Sequence, residues 1–283
     1  MKRHLFCAVA AAILFAVLPL EAQIRGFRQE QLKEWEFSKD GSNWETVAVP
    51  HSYNAEDGHS PYYYRGKATY RCDLRINDLK KTHYIFFEGA AQAAVVKVNG
   101  EQVASHKGGY TPFSVNITEA LRKGVNRIEV ICDNSEDVDM IPVSSDFNKN
   151  GGLHNPVWLL VMEDVYFSPE DYGIYRLRCE TPEVTKKKVV TNVKARLVNP
   201  SNRDANILVR VQLLEANGAL GYQADREVPV RAFSEYDFDH EFILSGIHLW
   251  DGMKDPYLYT VRVELFKGKR MMDIAETKVG YRS

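Results

Sequence analysis

The feature that most constrains the fold of this chain is a series of short alternating segments separated only by turns. Residues 94–98 and 101–105 are short predicted strands on either side of Asn99-Gly100. This dipeptide is the favoured pair for a two-residue type I′ hairpin turn, because both central positions need positive φ. Long helical patterns are absent after residue 22. The sequence therefore predicts an antiparallel β fold.

The residues after this hairpin extend the same pattern. Phe113, Val115 and Ile117 alternate on a further segment, and residues 127–132 read as the next strand. Between them, we expect Thr118 to cap a brief helical turn over residues 119–123, which Gly124 ends.

A second region of strands begins near Ser168-Pro169. Its predicted strands are broken by turn residues at intervals that suit a sandwich, and they cover residues 189–198, 207–214, 238–244 and 259–266. We therefore predict an all-β protein with a jelly-roll, galactose-binding-like sandwich over residues 23–167. A smaller immunoglobulin-like sandwich is predicted to follow over residues 168–283.

The N-terminus has the layout of a signal peptide over residues 1–22. Lys2 and Arg3 precede an apolar run from residue 5 to residue 18, and Leu20-Glu21-Ala22 offers a small-residue cleavage site. A retained membrane anchor is the alternative, although the run is short for a transmembrane span. No other segment is apolar enough to cross a bilayer. We therefore expect an exported protein, periplasmic or secreted, with no membrane segment after signal removal.

Charge and cysteine content narrow the function classes. A formal net charge of −2 and a pI of about 6.5 give no electrostatic case for binding nucleic acid. Cys72, Cys132 and Cys179 each fall within an apolar alternation, where period 2 puts the thiol on an inward strand face. One disulfide among them is left open, and the absence of a CxxC pair argues against a zinc knuckle or redox motif. We predict no cofactor.

Several motifs, in order along the chain, resemble glycoside hydrolase family 2, which holds β-galactosidases, β-glucuronidases and β-mannosidases. They are Trp44 with Val47-Ala48-Val49-Pro50-His51, Arg65-Gly66-Lys67-Ala68-Thr69-Tyr70-Arg71, Phe87-Glu88-Gly89, Gly108-Gly109-Tyr110-Thr111-Pro112-Phe113, Gly151-Gly152-Leu153-His154-Asn155-Pro156-Val157-Trp158-Leu159, Asp255-Pro256-Tyr257-Leu258-Tyr259 and Gly280-Tyr281-Arg282. Two positions depart from the family pattern: Thr69 replaces a usual Trp, and Asn155 stands where Arg is common.

The resemblance implies a non-catalytic role for these residues. Family members carry a pair of catalytic glutamates on a (β/α)₈ barrel that follows two β domains, and the sequence given stops at Ser283, where that barrel is expected to begin. No position matches the pair, so we assign no catalytic residue. Two alternatives remain open: a free-standing carbohydrate-binding module, and a structural partner that docks on a catalytic barrel supplied in trans. The expected ligand is a β-galactoside or related glycoside.

The resemblance also suggests Asp146 as a substrate-binding residue. In several family members an Asp six residues before the glycine that Gly152 matches hydrogen-bonds substrate hydroxyls, and a carboxylate makes charge-assisted bonds that fix a sugar ring. The alternative is a loop Asp in a polar stretch. Asp137, Asp139 and Asp146 could also ligate calcium, but the EF-hand spacing is absent.

Tyr62 and Tyr64 are the other two candidate sugar contacts. Amphipathic rings pack on sugar faces, and alternate residues of the Tyr62-Tyr63-Tyr64 run can share one side of a strand. The alternative is that these tyrosines close the sandwich or meet the catalytic barrel that the resemblance implies. Four histidines lack metal-ligand spacing and are interpreted as structural or loop residues: His51, His59, His106 and His154.

Overall fold

Alternating apolar side chains form paired strands throughout the part of the chain that the structure describes. The computed structural model describes residues 27–59, 64–140, 149–162, 164–170 and 176–282, with the backbone only at residues 27, 28, 58 and 59. Within these ranges, regular structure is β strand apart from two 3₁₀ turns, Glu56–His59 and Thr118–Ala120. The prediction of an all-β fold is confirmed.

Ten strands form the first sandwich. They are β1 (Phe27–Gln31), β2 (Glu34–Ser38), β3 (Glu45–Ala48), β4 (Lys67–Ile76), β5 (Thr82–Phe87), β6 (Ala93–Val98), β7 (Glu101–Lys107), β8 (Phe113–Asn116), β9 (Gly124–Asp133) and β10 (Val157–Met162). The two antiparallel sheets have the orders β3-β2-β4-β9-β6-β7 and β1-β10-β5-β8. Their inward faces enclose a core that includes Trp35, Tyr70 and Phe87, because every second residue of a strand points to the same face.

The predicted hairpin is present, with positive φ at both turn residues, 52° at Asn99 and 88° at Gly100. The predicted helical turn was wrong in its bounds and its cap. The 3₁₀ turn begins at Thr118 itself and makes no side-chain cap. The Thr118 hydroxyl instead accepts the backbone N–H of His83 at 2.9 Å and donates to Asn116 Oδ1 at 2.7 Å. Gly124 begins β9 rather than ending a helix.

Eight strands form the second sandwich. They are β11 (Tyr166–Phe167), β12 (Arg178–Val184), β13 (Val189–Asn199), β14 (Ala205–Leu214), β15 (Leu220–Val230), β16 (Ser234–Leu244), β17 (Tyr259–Lys267) and β18 (Arg270–Val279). One sheet has the order β11-β13-β12 with β16 also paired to β13, and the other has the order β15-β14-β17-β18. Residues 166–167 pair with β13 of the second sandwich, whereas the domain boundary predicted from the sequence lies just after residue 167. The domain boundary stays a prediction.

An apolar contact and a buried carboxylate connect the two sandwiches. Tyr84, Leu160 and Met162 lie on one face of the β10-β5 pair and pack on Tyr166. The hydroxyls of Tyr84 and Tyr166 lie 3.1 Å apart. Just beyond, the fully buried Asp273 accepts the backbone N–H of Phe167 at 2.9 Å. The chain that leaves the first sandwich is therefore fastened directly to the core of the second.

The cysteines behave as small apolar side chains. Cys132 is buried, Cys72 and Cys179 are half-buried, and all three are free thiols. Burial raises the pKa of Cys179 to about 12 and also raises the pKa of Cys72 and of Cys132. A thiol with such a raised pKa carries little thiolate and reacts slowly.

None of the helices in the described ranges has the length and apolar character needed to cross a membrane.

Candidate substrate-binding site

Two stretches of the first sandwich that are far apart in sequence meet at a pair of buried amides. Asn54 Nδ2 donates to the backbone oxygens of Tyr64 and Lys149, at 3.3 and 2.9 Å. Asn134 Nδ2 donates to the same two oxygens, at 3.2 and 3.0 Å. Neither asparagine has any exposed surface. The amide clamp is the name used below for Asn54, Asn134 and the carbonyl groups of Tyr64 and Lys149.

The oxygens of both side-chain amides are also occupied. Asn54 Oδ1 accepts the backbone N–H of Gly151 at 3.0 Å, and Asn134 Oδ1 accepts that of Gly66 at 2.8 Å. A side-chain amide offers two donors and one carbonyl oxygen, so both kinds of atom in each amide bond to backbone. The clamp therefore fixes the backbone at Tyr64 and at Lys149. In the sequence, these two residues lie close to the predicted sugar contacts Tyr62 and Asp146.

The Gly151-Gly152 pair is explained by close contact with two tyrosines. A Cβ on Gly151 would lie 2.1 Å from the ring of Tyr53, and one on Gly152 would lie 2.3 Å from the hydroxyl of Tyr70. Gly152 also has a φ of +113°, which side chains disfavour. The Tyr53 hydroxyl donates to the backbone oxygen of Gly66 at 2.9 Å. Tyr53 therefore closes this end of the sandwich, and burial raises its pKa.

Tyr64 is half-buried and makes contacts within the sandwich. Its hydroxyl donates to the backbone oxygen of Lys67 at 2.8 Å, and its ring meets Tyr53 edge-on with 5.6 Å between centroids. Lys39 Nζ lies 5.1 Å from the centre of the Tyr64 ring. These contacts fit a side chain that closes the sandwich. Stacking of a sugar on Tyr64 stays a prediction, and Tyr62 and Asp146 lie outside the described residues.

Two basic side chains from other parts of the first sandwich form ion pairs with the acidic loop that follows β9. Lys107 Nζ lies 2.8 Å from Asp137 and 3.2 Å from Asp139, and Arg65 pairs with Glu136 at 2.7 Å. The hydrogen bond from Lys107 lowers the pKa of Asp137. Over the described ranges, no group of three His, Cys, Asp or Glu side chains is arranged to hold a metal ion. Three carboxylates of the loop are thus paired with one ammonium and one guanidinium group.

Two of the histidines are half-buried rings whose charged form is disfavoured by burial. His51 Nδ1 lies 2.8 Å from the Tyr70 hydroxyl, and burial lowers the pKa of both His51 and His154. His154 Nδ1 lies 3.3 Å from the backbone oxygen of Gly152, so Nδ1 is the donor and Nε2 an acceptor. His154 Nε2 is buried without a hydrogen-bond partner, beside the ring of Tyr110 at 5.2 Å between centroids.

The sequence assigned no role to the side chains of Glu88, Trp158 and Tyr110. Tyr110 lies beside His154, whereas Trp158 packs on the cluster of Tyr84, Leu160, Met162 and Tyr166. Trp158 Nε1 donates to Glu88 Oε1 at 2.7 Å, and Asn155 Nδ2 donates to the Glu88 backbone oxygen at 3.1 Å. The Tyr110 side chain is 61% exposed. All three stand in motifs that the sequence analysis names, but a motif carries no information on which way each side chain points. Asn155, in the usual Arg position, therefore holds a backbone carbonyl here.

A groove of about 750 Å³ opens at the junction of the two sandwiches. Lys81, Gln102 and Asn116 line it from the first sandwich, and Pro200 lines it from the second. Among the residues that the structure describes, none that lines the groove is aromatic, so these residues offer no ring platform on which a sugar face could pack. The end of the sandwich near the amide clamp is the better candidate site.

Two family models match almost the whole described chain. Residues 25–163 match the sugar binding domain of "Glycosyl hydrolases family 2", and residues 174–282 match a second model of "Glycosyl hydrolases family 2". The chain belongs to glycosyl hydrolase family 2. It comprises the N-terminal sugar-binding and immunoglobulin-like domains of that family, as the motifs predicted.

Curated relatives and a solved structure agree with the family 2 assignment. A β-glucuronidase of Bacteroides fragilis is 30% identical over 245 residues, which cover 83% of this chain and 34% of the relative. A β-galactosidase of Thermoanaerobacterium thermosulfurigenes is 29% identical, over 90% of this chain and 36% of the relative. The crystal structure of a Bacteroides uniformis β-glucuronidase superposes with a TM-score of 0.85 at 25% identity, covering 91% of this chain and 33% of that one. The family 2 chain thus spans about a third of the length of these relatives.

Proposed function

We propose that this chain is the non-catalytic, substrate-bordering part of a family 2 glycosidase that hydrolyses β-glucuronides, β-galactosides or related glycosides. The observation that carries the proposal is the match of residues 25–163 to the family's sugar binding domain, together with relatives named as β-glucuronidase and β-galactosidase. The first domain borders the active site and contributes to substrate binding, and the second is a spacer. We assign no catalytic residue to these two domains.

A hydrolysis assay tests the non-catalytic part of this proposal. The purified chain is incubated with chromogenic β-glucuronides and β-galactosides, and release of the chromophore is followed. We expect no turnover above the uncatalysed rate, because retaining glycosidases need two carboxyl groups about 5–5.5 Å apart and none has been assigned here. Turnover at rates typical of enzymes, about 1 s⁻¹ or more, would refute it.

Calorimetric titration with glucuronides and galactosides tests the binding role. We expect Asp146 to accept hydrogen bonds from sugar hydroxyls, so that Asp146→Asn weakens binding at least tenfold while leaving the unfolding midpoint unchanged. Asp139→Asn is the matched control, since Asp139 is an exposed loop carboxylate that pairs with Lys107. Equal affinities of the two variants would remove Asp146 from the proposal, and flat titrations of the parent chain would count against sugar binding by these domains alone.

A catalytic barrel supplied by another chain is the second candidate partner. Exposed apolar side chains favour it: Met253 is 99% exposed and Leu258 is 41% exposed. Leu258 packs on Gly280 beside Trp250, so these groups lie on one part of the second sandwich, and exposed apolar surface of this kind marks interaction sites. The test is binding of the separated barrel of the B. fragilis β-glucuronidase. Unaltered binding by Met253→Glu would contradict this surface.

Export from the cell is part of the proposal. The basic, apolar and small-residue order of residues 2–22 supports it. Cell fractionation followed by N-terminal sequencing is expected to find a chain that begins near Gln23 outside the cytoplasm. A cytoplasmic chain that retains Met1 would argue against export.

A further inference from the structure

Three Asn-Gly dipeptides occur in the sequence, and the structure places them in different surroundings. They are Asn99-Gly100, Asn150-Gly151 and Asn217-Gly218. In such a pair the backbone nitrogen of glycine can attack the side-chain carbonyl carbon of asparagine, because glycine has no Cβ to hinder the approach. In a folded protein this attack depends on how firmly the asparagine side chain and the glycine nitrogen are held. The three pairs therefore form a comparison within one chain.

Hydrogen bonds hold both polar atoms of the Asn99 side chain. Asn99 Nδ2 donates to the backbone oxygen of Ala120 at 3.0 Å and to Asn126 Oδ1 at 2.9 Å. Asn99 Oδ1 accepts the backbone N–H of Arg127 at 3.1 Å. Asn126 is fully buried, and a buried group that loses its partner is costly. The carboxamide of Asn99 can turn toward Gly100 only by giving up these bonds.

In the second pair it is the glycine nitrogen that is held. Gly151 is buried, and its N–H donates to Oδ1 of the fully buried Asn54 at 3.0 Å. The ring of Tyr53 lies against Gly151, where an added Cβ would be 2.1 Å from it. This close packing leaves the backbone little room to rotate. Attack by the Gly151 nitrogen on Asn150 therefore requires both the hydrogen bond and the packing to be broken.

The third pair lies in the exposed turn between β14 and β15. Asn217 and Gly218 are both exposed, and a Cβ built on Gly218 would meet nothing within 4 Å. Asn217 Oδ1 accepts the N–H of Ala219 at 2.8 Å, and Gly218 N–H donates to the backbone oxygen of Glu215 at 2.8 Å. Both bonds lie within this turn, so water replaces them when the turn opens. Among the residues that the structure describes, none bonds to Asn217 Nδ2, the nitrogen that has to leave.

We propose that Asn217 is a site of spontaneous deamidation, whereas Asn99 and Asn150 are protected by the fold. The Gly218 nitrogen bonds to Cγ of Asn217 and loses its proton to water. The bond from Cγ to Nδ2 breaks, and ammonia leaves with a proton gained from water. A second water then adds to either carbonyl of the cyclic imide and opens it to aspartate or isoaspartate. The net change consumes one amide and one water, and it yields one carboxylate and one ammonium ion.

The product changes both the charge and the backbone of the turn. Aspartate and isoaspartate each add a negative charge beside Glu215, and isoaspartate also inserts a methylene into the backbone. The N–H of Ala216 donates to the hydroxyl of Tyr257 at 3.3 Å. Deamidation therefore alters the surface of the second sandwich next to Tyr257.

Incubation of the purified chain in mildly alkaline buffer tests the proposal, because base removes the proton from the attacking nitrogen. Peptide mass spectrometry follows the conversion of amide to acid at each pair, and chromatography separates aspartate from isoaspartate. We expect conversion at Asn217 to be at least tenfold faster than at Asn99 and Asn150, since the loss of one buried hydrogen bond alone slows a reaction by about that factor. A rate at Asn99 or Asn150 that matches or exceeds the rate at Asn217, or no conversion at Asn217, would overturn the proposal.

The same chain unfolded in guanidinium chloride is the matched control, since it keeps the sequence around each pair and removes every contact of the fold. We expect the three rates to become similar. If the difference between Asn217 and the other two pairs persists after unfolding, local sequence sets the rates and protection by the fold is refuted.

The variant Asn217→Gln checks the assignment of the site. Its longer side chain would have to close a larger imide ring, which forms far more slowly. The acidic species that accumulates in the parent, seen by isoelectric focusing, should therefore be absent from the variant. A parent-like accumulation of acidic species in Asn217→Gln would place the modification elsewhere and overturn the proposal.

Discussion

Replacing Asp273 by alanine is expected to destabilise the second sandwich strongly. The Asp273 carboxylate has no exposed surface and accepts hydrogen bonds from the backbone N–H groups of Phe167 and Ile274, at 2.9 and 2.8 Å. It also pairs with the guanidinium of Arg176. Removing one partner of a buried ion pair costs about 3–5 kcal/mol. The Arg176 side chain keeps 19% of its surface in solvent, which favours the lower end, about 3 kcal/mol.

Urea unfolding followed by circular dichroism at pH 7 measures this loss. With an m-value of about 2 kcal/mol/M, a loss of about 3 kcal/mol lowers the midpoint by roughly 1.5 M. Asp225→Ala is the matched control: its carboxylate pairs with Arg210 at 2.8 Å, but both side chains are about a third exposed, so at most about 1 kcal/mol is expected. Stabilities of the two variants that agree within about 1 kcal/mol would refute the reasoning.

Three further substitutions test separate parts of the structure. Burial raises the pKa of Glu264 above its ordinary 4.5, so the ionised form is disfavoured in the folded state. Glu264→Gln should therefore be more stable than the parent at pH 7. Denaturation measured across pH should show that this gain in stability disappears as the pH falls toward 4.5, where the parent carboxyl takes up its proton. Gly151→Ala should cost about 3 kcal/mol in urea titrations, because its Cβ would meet the ring of Tyr53; an unchanged midpoint would contradict that packing. Tyr84→Phe removes the hydroxyl contact with Tyr166 and should lower the free energy of unfolding by about 1 kcal/mol, measured by thermal unfolding. An unchanged melting temperature would contradict this expectation.

Strand pattern was predictable where one face is buried and the other is not. Residues 189–198 and 259–266 were placed within a residue of β13 and β17, because period 2 is visible when alternate side chains enter a core. The sequence did not predict strand β15, because few of its side chains point inward and most are exposed. It forms a strand because it pairs along its length with β14. This pairing depends on the presence of β14, so the sequence of residues 220–230 alone does not reveal the strand.

The candidate site was less accessible to sequence reasoning. Asn54 and Asn134 are 80 residues apart in the sequence, and no motif or spacing rule relates them. Their shared targets are backbone oxygens, which every residue carries, so no residue type marks the acceptor. The wrong cap at Thr118 has a similar origin, since the backbone of His83 takes up its hydroxyl. Contacts to backbone from distant strands are invisible until the sheets are assembled.

The chemical neutrality of the amide clamp determines how its geometry responds to solution conditions. Its bonds join uncharged amides to carbonyl groups, and none of these groups titrates between acid and alkaline pH. The nearby pairs that Lys107 and Arg65 make with the acidic loop are exposed ion pairs, which salt screens. High ionic strength should therefore loosen the acidic loop while leaving the clamped backbone in place. A family 2 domain built in this way keeps the backbone at Tyr64 and Lys149 in the same place in dilute and in saline solution.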